Sequence, residues 1–476
     1  MKNKNFIIIY PSARVNSVLP QWSPPLGGLY LADALIKDGY SVSILDDDTE
    51  EIERRLPLLV NSETVALGIS SLSGTQLRNG LIIAEFIRKR YPNIPIIWGG
   101  AHVTALPEQT LQSELVDYIV WGEGEESLPE LLDCIRNKKS YKHIKGIGYK
   151  NNGSPVLTQI RPYTGLDGVF ELPYHLLEMD KYARKLNIGF NKNFFIYTSR
   201  GCPFRCKFCS NSSRIWPNTK MRYHSVEHML NDISNLVNNY GMDSITLGDQ
   251  NFFVHEERLV SICKALIKAN FGIKYRVSAR VDLLFRLKPS TWELLKKADF
   301  IAIGVGIESG SKKMLDLMGK GITLEQIYKV DSLLTKYKFY KSFNFMTCLP
   351  TETISDVKLT LELILRLAES SRYSPFPFST LHKYIPLPGT ELYDTAIQHG
   401  FLPPKFIEGW TEFEDENVSE TYNVVRPWLS AEMRDYVFAA NKLIEKLNVL
   451  YLGDLKSDQK AISQKIKEIK IFKEQK

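Results

Sequence analysis

Six cysteines in 476 residues are too few and too scattered for a disulfide framework. No apolar run approaches the roughly 18 residues a membrane-spanning helix needs. The opening Met1-Lys2-Asn3-Lys4-Asn5, followed at once by the strand-like Phe6-Ile7-Ile8-Ile9-Tyr10, is too short in apolar residues for a signal peptide. Charge excess is small: 60 Lys and Arg against 54 Asp and Glu leave +6. Much of that excess lies in a tail holding Lys456, Lys460, Lys465, Lys467, Lys470, Lys473 and Lys476, interleaved with Glu468 and Glu474. A solvated helix explains such a tail better than a polyanion-binding arm, so no nucleic-acid partner is expected. With 44% hydrophobic and 11% aromatic residues, disordered and collagen-like classes are excluded as well. What remains is a globular, cytoplasmic chain of about three domains, in which a tight cysteine group marks a metal site.

In the first third, strand-like runs at residues 6–10, 41–45, 64–69, 94–98 and 118–121 alternate with amphipathic stretches such as 26–38 and 77–90. Alternation of this kind predicts an α/β, doubly wound, flavodoxin-like domain that takes ligands at the carboxyl ends of its strands. Those ends read Ser70-Ser71-Leu72-Ser73-Gly74, Gly99-Gly100-Ala101-His102 and Gly122-Glu123-Gly124-Glu125. A tight turn accounts for any one of them; together they suit the close approach of a large flat or elongated ligand. From Cys134 the alternation lapses, and residues 146–156 read as a hairpin turning at Asn152-Gly153 within a linker.

The sharpest signal is Cys202-Pro203-Phe204-Arg205-Cys206-Lys207-Phe208-Cys209, a Cys-x3-Cys-x2-Cys just after a strand at residues 194–198. Three thiolates on one short loop leave a 4Fe-4S cluster short of its usual fourth cysteine, with one iron open. Zinc would want a fourth ligand and paired Cys-x2-Cys units, and His224 and His228 lie outside such a pattern. Further strands at 244–247, 274–278, 300–304, 342–346 and 382–385 make six β/α units, a partial barrel whose working groups belong at the C-terminal strand ends. Those ends hold Gly248-Asp249-Gln250-Asn251, Arg280-Val281-Asp282, Glu308-Ser309-Gly310, Leu349-Pro350-Thr351-Glu352 and Pro388-Gly389-Thr390. Cys134 and Cys263 read as small apolar residues on helix faces, and Cys348 as core packing or a residue facing the barrel cavity.

Two resemblances follow. The Pro24-Pro25-Leu26-Gly27-Gly28 stretch, the Trp98-Gly99-Gly100-Ala101-His102 turn and Asp117 through Glu125 resemble the cobalamin-binding domain that precedes many radical S-adenosylmethionine (SAM) enzymes. The cysteine motif, with Gly201, Pro203 and Phe208, resembles that of the radical SAM superfamily. The implied architecture is residues 1–140 as a Rossmann or flavodoxin-like cobalamin-binding domain and 141–190 as linker. Residues 191–400 are then the radical SAM barrel, and 401–476 a helical cap with the lysine tail. Glu408 to Val418 and the helical Ser430 to Leu450 are expected to close the barrel mouth, and Trp410 or Tyr373 to line it, although core packing explains either of these two equally well.

The resemblance implies Cys202, Cys206 and Cys209 as cluster ligands and Phe208 beside the adenine of SAM. It places Glu308 on the SAM ribose, Arg280 on its carboxylate and Asp249 on its amino group. Ser70, Ser71, Leu72, Ser73, Gly99, Gly100, Gly122 and Glu123 become cobalamin contacts, with His102 a tail contact or turn residue. The Asp-x-His-x-x-Gly motif that supplies a lower cobalt ligand is missing: Leu45-Asp46-Asp47-Asp48 offers no His. Either the lower face is free or the domain has lost its cofactor.

The implied activity is methylation of an unactivated carbon or phosphorus centre in a natural-product-type small molecule, through a 5′-deoxyadenosyl radical and methylcobalamin. An external donor such as flavodoxin or ferredoxin would supply electrons. Non-methylating rearrangement or cyclisation, and a cobalamin sensor, are the rival readings. A methylthiotransferase is excluded, since it would carry three further cysteines in the first third, where Cys134 stands alone. No catalytic residue is singled out.

Overall fold

A computed structural model describes residues 4–12, 23–163, 165–166, 172–186, 190–212, 220–371, 374, 377–413, 425–450 and 459–475. They fall into two units. The first holds the described residues up to Tyr182 and those from Leu402 to Phe413; the second holds the rest.

In the first unit, strands β1 (Lys4–Ile9), β2 (Tyr40–Leu45), β3 (Thr64–Ser70), β4 (Ile96–Gly99) and β5 (Tyr118–Val120) form a parallel sheet in the order 2-1-3-4-5. That is the flavodoxin-like order. Such strands are covered on both faces, so they read as continuous apolar runs. Phe6, Ile7, Ile8 and Ile9 are all buried, as are Leu67, Ile69, Ile96, Ile97 and Trp98. Each large apolar side chain so buried contributes roughly 1.5–3 kcal/mol against the entropy of ordering the chain. The expected hairpin forms, as β6 (Ile147–Asn151) and β7 (Ser154–Leu157), but it extends this sheet antiparallel to β5 instead of standing apart as a linker. Its first strand gives Ile147 and Tyr149 to the core, which a free linker could not.

The second unit is built on β8 (Arg184–Leu186), β9 (Phe190–Ile196), β12 (Ser244–Leu247), β13 (Lys274–Arg280), β14 (Phe300–Glu308), β15 (Tyr340–Thr347) and β16 (Phe378–Lys383), in the order 16-15-14-13-12-9-8. A small ladder, β10 (Ser199–Arg200) with β11 (Arg222–Tyr223), stands beside it. All neighbours from β9 to β16 are parallel, giving the six expected β/α units; β8 adds an antiparallel edge. The last strand lies at Phe378–Lys383, upstream of the 382–385 run.

Period-two alternation sorts the two faces of this sheet. Ile245, Leu247, Val277, Ile303, Val305, Phe343 and Phe345 are buried in the core. Their alternates are Thr246, Arg276, Ser278, Ala302, Gly304, Gly306, Ser342 and Asn344, a small and polar set. Two of the helices start sharply: Thr323 with Gln326 and Thr353 with Asp356 form reciprocal capping boxes for Leu324–Lys336 and Ile354–Ser370. Two C-terminal helices, Ala431–Leu450 and Gln459–Gln475, meet through Tyr436 and Phe472, whose rings stack at 4.7 Å. Among the described residues no helix is long and apolar enough to cross a membrane.

Candidate functional site

The cysteine loop follows β9 and is held at its entry by Asp249. Asp249 Oδ1 accepts from the backbone N–H groups of Thr198 and Ser199, both at 2.6 Å, and Oδ2 accepts from Thr198 Oγ1 at 2.5 Å. Burial pushes this carboxyl above its ordinary value, and those donors work against the push. The carboxylate expected to meet the SAM amino group thus serves the turn that aims the loop. Gly201, at φ +95°, passes so close to the Lys220 carbonyl that a Cβ would stand 2.6 Å from its oxygen.

Two polar donors approach the thiols. Arg280 Nη1 lies 3.0 Å from Cys206 Sγ, and Asn251 Nδ2 lies 3.9 Å from Cys202 Sγ. Arg280, which the resemblance placed on the SAM carboxylate, has its other groups engaged too. Nη2 donates to Lys320 O at 2.6 Å, Nε donates to Asp282 Oδ1 at 2.9 Å, and the guanidinium carbon sits 3.9 Å from the Phe204 ring centre. A fork fixed on four sides is a preorganised clamp on the cysteine loop. Lys207 N donates to Met318 O at 2.9 Å and Leu392 N donates to Lys207 O at 3.0 Å, so the loop is bonded to two further segments.

Glu308 ends β14 at φ +72° and pairs with Lys320 at 2.6 Å; both side chains are largely buried. The pair lies over Gly306, where a Cβ would stand 2.7 Å from Glu308 Oε1. Lys320 Nζ is also 6.0 Å from the centre of the Phe208 ring, so Phe208, Glu308 and Lys320 form one cluster. Sequence reasoning passed over Lys320. Its only signal is Gly319-Lys320-Gly321, whose glycines take φ +61° and +65°. The Glu308 loop is pinned by Gly310 N donating to Thr360 Oγ1 at 3.0 Å and by Ser311 Oγ donating to Asp356 at 2.7 Å.

In the first unit, the three expected strand-end loops converge at the carboxyl edge of the sheet. Gly100, at φ +100°, sits on the Ser71 backbone: a Cβ would meet Ser71 O at 2.6 Å and Ser71 N at 2.8 Å. Ser71 Oγ donates to Gly99 O at 3.0 Å, and Gly122 N donates to Thr104 Oγ1 at 3.0 Å. Gly99 meets only the Val120 carbonyl, at 3.6 Å, and Leu72 is half exposed, an apolar side chain available to a ligand. His102 is 1% exposed, with Nδ1 2.9 Å from Ser73 Oγ; burial alone lowers its pKa to about 4, so it stays neutral. Glu123 follows Gly122 in its loop and is partly buried.

Trp410, expected at the barrel mouth, belongs here instead. Its indole N–H donates to Gln109 Oε1 at 2.6 Å, its carbonyl accepts from Gly74 N at 2.9 Å, and its ring meets His102 edge-on at 6.2 Å. These partners draw residues 402–413 out of the C-terminal cap; residues 414–418 and Tyr373 lie outside the described residues.

Residues 196–364 match the Radical SAM superfamily and residues 14–132 match the B12 binding domain. A protein named an uncharacterized methyltransferase from Pyrococcus horikoshii is 30% identical over 84% of this chain and 85% of its own length. The chain belongs to the cobalamin-binding radical SAM enzymes. A cytidylyl-2-hydroxyethylphosphonate methyltransferase of Streptomyces wedmorensis is 23% identical over 84% of this chain and 83% of its own. The cobalamin-dependent radical enzyme OxsB shares the fold at a TM-score of 0.74 and 18% identity, over 99% of this chain and 72% of that one.

The enzyme's loops fit the groups its family uses. For the cluster, Cys202, Cys206 and Cys209 share one loop outside any disulfide, with an arginine 3.0 Å from Cys206 Sγ and an amide donor 3.9 Å from Cys202 Sγ. For cobalamin, the Ser71, Gly99, Gly100 and Gly122 loops bring closely packed backbone together at the carboxyl edge of the sheet, with little side chain at Gly99. N–H donors to cluster sulfurs favour the more negative, reduced cluster. Arg280→Met is therefore expected to shift the cluster potential negative, with Arg280→Lys in between, in a redox titration followed by EPR without SAM.

At the end of β15, Cys348 and Thr351 hold φ +63° and +68°, and Glu352 braces the turn. Glu352 Oε2 accepts from Thr347 Oγ1 at 3.0 Å and Leu349 N at 3.2 Å, while Oε1 is buried without a partner. Burial raises this carboxyl from 4.5 to about 7, partly offset by those donors. A raised carboxyl contributes stability that is full below the unfolded value near 4.5 and is lost as pH climbs through about 7. At about 1.4 kcal/mol per pH unit the loss is on the order of 3 kcal/mol. Denaturant melts of wild type between pH 4.5 and 8 are expected to show this slope, and Glu352→Gln to flatten it. Cys348 is fully buried and its carbonyl accepts from Trp428 Nε1 at 3.1 Å, which fits core packing.

Proposed function

We propose that this enzyme methylates an unactivated carbon or phosphorus centre of a small molecule, drawing both methyl group and radical from SAM. The observation that carries this reading is the pairing, in one chain, of a cobalamin-type cradle with a three-cysteine loop whose thiols meet fixed donors. Relatives named as methyltransferases support it. Bound cobalamin supplies a methyl carrier, and the cluster with SAM supplies a carbon radical able to activate a C–H bond.

Within that scheme Cys202, Cys206 and Cys209 hold the cluster. Phe208 offers a face to adenine, and the Glu308–Lys320 pair offers an acceptor and a donor to the ribose and carboxylate of SAM. Arg280 and Asp249 hold the loop in place. Ser70, Ser71, Leu72, Ser73, Gly99, Gly100, Gly122 and Glu123 take cobalamin; neutral His102 braces Ser73 from beneath. An electron donor of flavodoxin or ferredoxin type, and a cytoplasmic setting that keeps thiols reduced, complete the reading.

The test supplies methyl-deuterated SAM to the reduced holoenzyme together with a small-molecule extract of its native cells. A new product carrying the CD3 group is expected. Radical products with an unlabelled, rearranged small molecule would instead favour the cyclase reading, which relatives named anaerobic magnesium-protoporphyrin IX monomethyl ester cyclases bring forward.

A further inference from the structure

The first unit holds a cleft that none of these roles uses. It has a volume of about 280 Å³ and lies at the amino ends of β4 and β5, the edge of the sheet opposite the three strand-end loops. The turn Pro92-Asn93-Ile94-Pro95, which leads into β4, lines it with two prolines and an isoleucine. Tyr118, the first residue of β5, and Tyr149, its antiparallel partner on β6, line it as well. Tyr141 joins them: its ring meets Tyr118 edge-on at 5.3 Å and Tyr149 edge-on at 5.0 Å. Tyr118 and Tyr141 are only partly buried, so ring surface is left for a flat apolar body.

Two cations and one carboxylate complete the lining: Arg88, Lys150 and Asp117. Asp117 serves the fold, since its Oδ2 accepts from Arg88 Nη2 at 2.9 Å and from Ile96 N at 2.8 Å. That pairing meets one corner of the guanidinium, and Arg88 Nε is buried without a hydrogen-bond partner. Lys150 Nζ donates to a neutral acceptor, Ser113 O, at 2.7 Å. Burial lowers the Lys150 pKa, with Arg88 adding to the effect and Asp117 and Glu114 opposing it. Glu114 is exposed and does not line the cleft, so solvent and salt screen it. One positive charge in excess beside a group of rings suits a ligand with an anionic head and a flat body.

We propose that this cleft binds a small aromatic carboxylate, its ring against the tyrosine cluster and its carboxylate on Lys150 and Arg88. A volume just under the roughly 300–1,000 Å³ of common ligand clefts limits the ligand to one or two rings. The site shares no residue with the strand-end loops or the cysteine loop, so it stands or falls separately from the methyl-transfer reading.

The experiment titrates benzoate into the cluster- and cobalamin-loaded protein without SAM, read by saturation-transfer NMR and by the thermal midpoint. Benzoate is expected to bind with a Kd on the order of 1 mM. Benzamide, which lacks the charge, and acetate, which lacks the ring, are expected to bind several-fold more weakly. Lys150→Met is expected to weaken benzoate about tenfold, the loss of one charge-assisted hydrogen bond, and Lys150→Arg to keep most of the affinity. Tyr141→Leu is expected to weaken it several-fold and Tyr141→Phe to leave it unchanged. Lys142→Met, at an exposed lysine that does not line the cleft, should bind as wild type does.

No benzoate binding by wild type, or wild-type affinity in either Lys150→Met or Tyr141→Leu, overturns the proposal. Benzamide as tight as benzoate overturns the carboxylate assignment, and acetate as tight as benzoate overturns the aromatic one. Benzoate that binds only when cobalamin is left out would lie at the strand-end loops, which also overturns the site. If Lys150→Met melts well below wild type, the Lys150→Arg protein and the Tyr141 pair decide: lost binding in Lys150→Arg, or equal binding in Tyr141→Leu and Tyr141→Phe, contradicts the proposal.

Discussion

Replacing Cys206 with alanine is expected to remove the cluster and abolish SAM cleavage. The thiol is buried in the middle of the cysteine motif, so no solvent ligand can readily take its place. The substitution also strips Arg280 Nη1 of its acceptor at 3.0 Å, leaving a buried charged donor unmet. Such a loss costs about 1–3 kcal/mol beyond the missing sulfur, so the loop should loosen as well as empty. Iron per chain, the cluster's visible absorbance and 5′-deoxyadenosine formation check this together. The contrast lies in the other three cysteines. Cys263 is fully buried in the helix Glu256–Ala269, where burial pushes its thiol up to about 12; it is no thiolate at neutral pH. Cys263→Ser, Cys134→Ser and Cys348→Ser are expected to keep full iron content. Iron retained in Cys206→Ala, or lost equally in Cys263→Ser, would contradict the assignment.

The second large effect is expected at Gly100. Alanine there must adopt φ near +100° and bring its Cβ to 2.6 Å from Ser71 O, a backbone atom with nowhere to go. Backbone strain of about 1–3 kcal/mol and overpacking of similar size add up to a large share of a domain's stability. Gly100→Ala should therefore lower the thermal midpoint by several degrees and leave no measurable cobalamin binding. Gly99→Ala separates cradle from fold. Its Cβ would meet only the Val120 carbonyl, at an ordinary 3.6 Å, so the apoprotein should melt as wild type does. Cobalamin affinity should nonetheless fall, because the new methyl group enters the space left for the corrin. Equal cobalamin titrations for wild type and Gly99→Ala would place the ligand elsewhere.

The strands of the first unit were legible because parallel strands buried on both faces must be apolar throughout, as in Phe6-Ile7-Ile8-Ile9, and those of the second because apolar residues recur at every second position, as in Ile303, Val305 and Ile307. The cysteine loop was legible because its spacing is short-range. Partners were not. Asp249 at a strand end suits a ligand's ammonium group as well as two backbone N–H groups, and only the folded chain shows that Thr198 and Ser199 take it. Arg280 is similar: its place at the end of β13 was legible, but the sulfur of Cys206 lies 74 residues away. Trp410 is a sharper case. A buried tryptophan looks alike in any core, and its partners Gln109 and Gly74 lie some three hundred residues earlier. Lys320 was hidden for a different reason, since a lysine between two glycines in a helical connection reads as a solvated turn until Glu308 is seen beside it.

Quantifying both SAM products in one anaerobic turnover, with cobalamin supplied and with cobalamin omitted, tests the central claim most directly. Reconstituted wild type under strong reductant, given its substrate, is expected to form S-adenosylhomocysteine and 5′-deoxyadenosine together. The former should vanish without cobalamin, and both should vanish in Cys206→Ala. Formation of 5′-deoxyadenosine alone, at the same rate with and without cobalamin, would contradict a cobalamin-dependent methyl transfer.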